Sequence, residues 1–524
     1  MKKLILLSFL VITAGCTTTA PTNNVNSTPT VSPAPGSTAA DVPYSITLTG
    51  FSITGFPGVH SAVVAGAPEK LIVLGGRRNG LHGFPGGHNA QAGPAFPKTE
   101  ANDTIYVLNL ATKQLLGSAS VNTLPVKIAN QLKATNLQYE ILNGWLYVMG
   151  GYGPDAAKGS LTTLGSVTVI NFDALANAVI NHQPLDGAFA NANIVQFDHL
   201  ALALTGGDLE LLPDGSGGTM FVLAFGQQYD GEYTPGGGLV NQNYADGVRV
   251  FKFTGSPKPT GITFVNSIPN PPGTQLNPEN PYHRRDLTMK ASVDASGNRR
   301  LVAYGGVFKG GRFEGFVTPV FVNPSPSPSP NTVTVTENTA TTQLMSQYDT
   351  AAIQLYDSTG KIMYTTFMGG ISQYYWDSAT NSLKRDPANI SQGIDGLPFI
   401  NSISTLKMPT TTDIGSQYLH VGQTFAPSGG IPQCSNGTTT VPAPLGGAET
   451  KFVIATGVQQ ITAGVITLNS IASTSVVGYL VGGIAATAPY SANGPTCASN
   501  MFYTVTLNPT QPTNTVKLQV PAGQ

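Results

Sequence analysis

Charge is what this sequence has least of. Only 10% of its 524 residues are Asp, Glu, Lys or Arg, and the formal net charge is −1. That balance offers no electrostatic footprint for nucleic acid or for a strongly acidic partner. Tryptophan occurs twice and cysteine three times, at positions 16, 434 and 497, so no CxxC metal or redox site can form. Long amphipathic helical patterns are absent, and the apolar run from Leu4 to Ala14 is too short to span a bilayer. No G-x-S-x-G elbow, Walker loop or H-E-x-x-H helix occurs, which removes the commonest hydrolase, nucleotide and metalloprotease signatures.

Glycine (60) and proline (39) are plentiful, and 19 Tyr and 22 Phe supply large apolar side chains. This is the composition of an all-β protein rich in turns. The N-terminus reads as a processing segment. Lys2 and Lys3 precede the short apolar run, and Ala14-Gly15-Cys16 resembles a bacterial lipobox. The resemblance implies that residues 1–15 are a lipoprotein signal and that Cys16 is lipidated. The membrane would then be reached through that lipid. Thr17, where an Asp would favour the inner membrane, implies an outer-membrane or cell-surface location; a plain cleaved signal is the alternative. Residues 16–42 then form the lipidated cysteine and a disordered tether, because this Thr/Ser/Pro-rich stretch cannot bury enough surface to offset its ordering entropy. Residues 43–524 are expected to be a single domain. In an oxidising envelope compartment Cys434 and Cys497 are expected to pair, with two separate buried thiols as the alternative.

An apolar strand followed by a glycine pair recurs along that domain: LIVLGG (71–76), WLYVMGG (145–151), LVAYGG (301–306), YTTFMGG (364–370) and VGYLVGG (477–483). MFVLAFGQ (220–227) fits the same slot with one glycine replaced. Before each run stands another strand closed by a turn, as in YEILNG, ASVDASGN and IQLYDSTGK, where Asp, Asn and Gly supply turn chemistry. After each comes an alternating strand such as TIYVLNLAT, SVTVINFDA or GVRVFKFTG, with a weaker fourth such as LLGSASV or ITFVNSI. The unit resembles the Kelch-type β-propeller blade, and the whole resembles a galactose-oxidase central-domain propeller of the kind found in bacterial surface lipoproteins. The resemblance implies six blades of four antiparallel strands. A further glycine pair in ALALTGG (201–207) leaves seven as the alternative, although it reads better within the innermost strand segment of the third unit. NFDALANAVINH (171–182) spaces Phe172, Leu175 and Val179 as a short helix on a blade edge, and PSPSPSP (324–330) reads as an inert extended loop. Either YSITLTG (44–50) or VKLQV (516–520) is expected to complete the last blade, because an open ring would leave strand edges bare.

Blade geometry brings the loops after the glycine pairs and the entries to the first strands onto one funnel face. There the sequence concentrates His60, Arg77, Arg78, His82, Tyr152, Gln227, Tyr229, Asp230, Tyr233, His283, Arg284, Arg285 and Asp286. Guanidinium forks suit carboxylates, phosphates or sugar hydroxyls, and Tyr152, Tyr229, Tyr233 and Tyr374 suit stacking on a sugar ring. Within YHRRDL (282–287) the arginines could equally lock neighbouring blades through carboxylates, and of the adjacent Arg77 and Arg78 at most one can face inward. His82 and His88 have no nearby carboxylate to complete a metal site. The copper-radical chemistry of galactose oxidase needs a Tyr–Cys crosslink for which no cysteine lies near these loops. No metal or cofactor is assigned. The expected function is a cell-envelope binding module taking a glycan, peptide or protein on the funnel face. The alternatives are an envelope carbohydrate-active enzyme (lyase, hydrolase or galactose-oxidase-like oxidase) using the same face, and a pure assembly module.

Overall fold

The glycine pairs are explained by backbone geometry. In the computed structural model, which describes residues 41–82, 94–233, 242–269, 277–325, 332–425, 430–435 and 439–521, all five pairs have positive φ at both positions. In the sixth copy Phe225 (φ 59°) and Gly226 (φ 86°) take the same conformation. The second residue turns its N–H toward the next repeat: Gly76 donates to Ala134 O, Gly151 to Leu204 O, Gly226 to Arg284 O and Gly306 to Gln347 O. A Cβ on the first residue would strike that same segment, 2.3 Å from Leu204 O at Gly150 and 2.2 Å from Gln347 O at Gly305. Two left-handed residues and a backbone-to-backbone approach are what only glycine supplies cheaply.

The chain is all-β, and its main sheets are antiparallel assemblies of four strands in chain order. The first holds Val63–Ala67, Lys70–Leu74, Thr104–Asn109 and Gln114–Ser120. The second holds Gln138–Leu142, Trp145–Met149, Ser166–Asn171 and Ile194–Asp198. The third holds Asp208–Pro213, Thr219–Ala224, Val248–Thr254 and Gly261–Ile268. The fourth holds Arg285–Val293, Arg299–Val307, Val320–Pro324 and Val333–Glu337. The fifth is built on Ala352–Asp357, Ile362–Ile371, Phe399–Pro409 and Ser416–Thr424. The sixth holds Lys451–Ile454, Ser475–Val481 and Met501–Asn508, and Ser45–Ser52 from the far end of the chain is its outer strand. That N-terminal strand aligns Leu48 with Val505 and Phe51 with Phe502. The C-terminal Thr515–Lys517 pairs instead with the outer strand of the fifth sheet, and the hairpin Gln460–Thr462/Val465–Thr467 lies on that sheet's inner edge.

Apolar layers join consecutive sheets. Ile72 and Leu74 enter the layer shared with the second sheet, whereas Leu71 and Val73 of the same strand enter the layer shared with the sixth. Leu146 and Val148 face the first sheet, and Trp145, Tyr147 and Met149 face the third. Met220 and Val222 face the fourth sheet, and Phe221 and Leu223 the second. Burial on both faces is why these second strands read as unbroken apolar runs rather than alternating ones. The opening strands touch in cyclic order, each against the next and the sixth against the first.

The turn chemistry is as expected: Asp294 Oδ1 accepts from Ser296 N and Asn298 N, and Asp357 Oδ1 from Thr359 N and Gly360 N. Phe172–Ile180 is a helix capped by Asn171, with Leu175 and Val179 buried between the first two sheets. Two further short helices, Val126–Leu132 and Gly187–Asn193, have too little periodic pattern to be read from sequence. ALALTGG forms a 3-10 turn at Leu200–Leu202 and then the entry to the third sheet's opening strand. Residues 1–40, with Cys16 and most of the tether, lie outside the described residues, as do His88 and residues 326–331 of the proline-rich loop. Among the described residues no helix is long and apolar enough to cross a membrane.

Gly144, with φ 78° in an open turn, and Gly305, with φ 63° against Gln347, separate conformational from steric cost. Gly144→Ala should lose about 1 kcal/mol for the left-handed backbone. Gly305→Ala should lose roughly 2 kcal/mol more, because backbone must move. Equal losses in chemical denaturation would refute the contact explanation.

Candidate functional site

The entries to the opening strands meet in a ring of six residues, Ser61, Asn136, Gly206, Asp286, Asp349 and Glu449. Asn136 N–H donates to Ser61 O (3.0 Å), Asp286 to Gly206 O (2.6 Å), Asp349 to Asp286 O (2.8 Å) and Glu449 to Asp349 O (2.6 Å). Thr205 Oγ1 reaches Asn136 O, and Ser61 Oγ donates to Glu449 Oε2, which completes the circuit. Ser61, Asn136, Gly206, Asp286 and Glu449 all have φ between 51° and 66°. Asn and Asp tolerate this region better than most residues; Ser and Glu hold it because the ring bonds do.

Above the ring opens a cavity of about 1140 Å³, part of it continuous with solvent. One wall is aromatic: Phe96 packs edge-on against Tyr152 (5.3 Å) and Tyr233 (5.6 Å), Tyr233 meets Tyr229 (4.9 Å), and His82 lies 4.8 Å from Phe96. The opposite wall is apolar, built by Val307, Phe308, Ile371, Leu397 and Phe399. Between them lie His60, Arg77, Gln227, Arg285 and the ring itself. Arg285 donates to Gln227 Oε1 (2.8 Å), Tyr244 OH (2.6 Å), Tyr233 OH (3.3 Å) and Asp286 Oδ2 (3.2 Å), and its guanidinium sits 4.0 Å over the Phe308 ring.

Two carboxyls of the ring are driven in opposite directions. Burial raises Asp286 to about 7; Arg285 opposes the shift, while Glu449 and Asp349 add to it. Burial also acts against ionised Glu449, but hydrogen bonds and charge from His60, with hydrogen bonds from Ser61 and Tyr348, outweigh it and bring the carboxyl to about 2. His60 Nδ1 lies 3.1 Å from Glu449 Oε2 and 2.8 Å from Ser61 Oγ, and Tyr348 OH donates to Glu449 Oε1 (2.8 Å). His60 Nε2, on the other edge of the imidazole, is buried without a hydrogen-bond partner among the described residues.

Of the residues singled out in the sequence, His60, Arg77, His82, Tyr152, Gln227, Tyr229, Tyr233, Arg285 and Asp286 line this cavity. Arg78 does not: it is exposed and donates to Thr99 O. Asp230 is bound to Lys158 Nζ and Thr162 Oγ1 outside the lining. His283 is buried on Asp246 (2.7 Å) and stacked on Tyr244 (3.8 Å). Arg284 is wholly enclosed, donating to the carbonyls of Pro281, Gly305 and Thr318 over Phe316, and serves packing. Tyr374 is buried in a separate apolar cluster. Cys434 and Cys497 form a disulfide that ties Gln433–Ser435 to Thr496–Ala498. Thr496 Oγ1 in turn accepts from Leu81 N on the cavity rim.

The sequence reading did not single out Ser61, Tyr348, Asp349 or Glu449, although the strand entries GVHSA (58–62) and SQYDT (346–350), which carry the first three, belong to the funnel face it expects. It also passed over a second cavity on the other side of the ring, lined by Glu140, Asp208, Glu210, Lys290, Asp349 and Lys451. Ser61, Asn136, Gly206 and Asp286 line both cavities. In the second, Lys451 Nζ binds Asp349 Oδ2 at 2.6 Å, and burial, reinforced by the charge of Glu210, raises Glu140 well above the usual carboxylate range. A usable signal existed: charged residues interrupt the opening strands (YEIL, DLELL, TMKAS) while the second strands carry none between their apolar residues.

No family model matches the chain, and no curated protein matches its sequence. Among solved structures it is similar to one titled "Structure of YjhT", at 11% identity and a TM-score of 0.40, over 89% of this chain and 96% of that one.

An Asp ionises near 3.8 in the unfolded chain and Asp286 near 7 in the folded one. Between those values the native state keeps a proton that the unfolded state has released, so raising the pH through this window removes stability. Glu140, Glu210 and Asp349 are raised in the same direction, so the informative quantity is the difference between proteins. Asp286→Asn should lose less stability than wild type between pH 4 and pH 8 in chemical denaturation. Parallel losses would remove Asp286 as a titrating group.

Proposed function

We propose that this protein is a cell-envelope binding module, a six-bladed Kelch-like β-propeller that takes a carbohydrate in the cavity above the ring. The propeller reading is supported by four-stranded sheets in chain order, by the cyclic contact of their opening strands, and by the N-terminal strand completing the sixth sheet. The observation that carries the ligand reading is one wall of aromatic edges and faces (Phe96, Tyr152, Tyr229, Tyr233) beside hydrogen-bonding side chains from Gln227, Arg285 and Asn136. Sugars present both an apolar C–H face and a fringe of hydroxyls, and such sites match both. An envelope location agrees with the Cys434–Cys497 disulfide, since such bonds persist in oxidising compartments. Lipid attachment at Cys16 rests on the lipobox resemblance alone. Metabolic labelling with a radioactive fatty acid should mark wild type and not Cys16→Ser.

A glycan array followed by calorimetry tests the ligand reading. Tyr229→Ala should weaken a bound glycan by about tenfold, the worth of one aromatic contact. Arg78→Ala, outside the cavity lining, should bind as wild type. Failure of every glycan to bind, or equal weakening by both substitutions, would discard this function.

A second reading, a carbohydrate-active enzyme at the same place, is favoured by one observation. Asp286 near 7 and Glu449 near 2 are carboxyls pushed apart on one ring, and His60, bound to Glu449 through Nδ1, has an Nε2 without a partner among the described residues. Such pairs suit an acid and a base for proton transfer. Chemical change in a bound glycan, lost in His60→Gln and Asp286→Asn while binding persists, would establish it.

A further inference from the structure

We propose that Arg77 and His60 form a seat for a ligand carboxylate, so that the carbohydrate bound in the cavity is a sugar acid; this rests on the carbohydrate reading above. His60 and Arg77 exchange both backbone hydrogen bonds, N to O at 3.0 Å each way. In an antiparallel bridge of this kind the two side chains leave on the same side, close together. Both line the cavity, and both are almost fully enclosed, at 5% and 4% exposure.

Each member of the pair is incomplete. Arg77 donates Nε to Asn79 Oδ1 and Nη2 to Pro97 O, both at 3.0 Å, and its guanidinium lies 5.0 Å from the Phe96 ring centre. Among the described residues no carboxylate forms an ion pair with it. Burial pushes it down to about 10, and the attraction of Glu100 acts only from a distance. It remains charged at neutral pH, and a buried cation without a counter-ion is costly. Arg285, Arg299 and Arg300 all have carboxylate partners, and Arg249 and Arg284, which have none among the described residues, line neither cavity. His60 is held at Nδ1 by Glu449 and Ser61, while its Nε2 has no partner among the described residues.

One ligand group completes both. A carboxylate accepts from Nη1 of Arg77, which makes no hydrogen bond among the described residues, and from an Nε2–H of His60, while Glu449 and Ser61 hold the Nδ1 edge. Phe96 flattens one side of the guanidinium and extends into the aromatic wall, where the sugar ring would lie.

The test uses tri-galacturonate, its fully methyl-esterified form, and benzoate, with calorimetric titration of wild type, Arg77→Gln and Arg77→Lys. Thermal unfolding of each variant checks folding. In wild type the acid should bind at least tenfold tighter than the ester. In Arg77→Gln the two affinities should converge, and Arg77→Lys, which keeps the charge but not the fork, should fall between. If wild type binds ester and acid equally, or the preference survives Arg77→Gln, the carboxylate seat is overturned while the carbohydrate reading stands. If neither sugar binds but benzoate binds in an Arg77-dependent way, the seat stands and the carbohydrate reading fails. Binding of none of the three probes overturns both.

Discussion

Six opening strands converge so closely that the residues leading into them are held by one another's backbones. The ring through Ser61, Asn136, Gly206, Asp286, Asp349 and Glu449 is the result. Four of its links join backbone N–H to C=O directly, and the hydroxyls of Thr205 and Ser61 supply the other two. Left-handed backbone at the entries and at the glycine pairs is the geometric cost. It is spread over all the sheets, and the apolar layers between them, occupied by both faces of each second strand, offset it.

That constraint also creates the site. Because the ring narrows the centre, space remains on either side of it, and polar side chains of the entries project toward these spaces. Within the ring, Asp286 and Glu449 experience similar burial but different neighbours. Glu449 collects donors from His60, Ser61 and Tyr348, whereas Asp286 has one guanidinium and two like charges nearby. A single enclosed environment thus yields one carboxyl that ionises readily and one that resists.

Much of the architecture was legible because it depends on periodicity. Apolar runs ending in Gly-Gly locate second strands, Asp and Asn turns locate the hairpins, and alternation locates third strands; each lies where those patterns put it. The site was legible only in part. YHRRDL reads as one dense cluster, yet Arg285 and Asp286 reach the cavity while His283 and Arg284, which precede the strand, are turned into packing; Asp286, at φ 52° and outside the strand pairing, escapes the alternation that would turn it away from Arg285. The same alternation sends Arg77 inward and Arg78 to solvent. Glu449 was passed over because a lone carboxylate before a strand has no repeat to mark it.

The sequence by itself determined the all-β class, the positions of the repeated strands and the places where backbone must turn left-handed, because these follow from local sterics and the burial of apolar side chains. The tertiary structure decided which end of the chain completes the sixth sheet, with Ser45–Ser52 taking the place that Thr515–Lys517 could have taken. It also decided which charged side chains share an enclosed space. Residues 60, 77, 286 and 449 are distant along the chain, and their chemistry depends on distances of a few ångströms that only the packing of all the sheets sets. LIVLGGRR thus specifies a strand and its turn. The burial of Arg77 beside His60, with no counter-ion among the described residues, belongs to the folded protein.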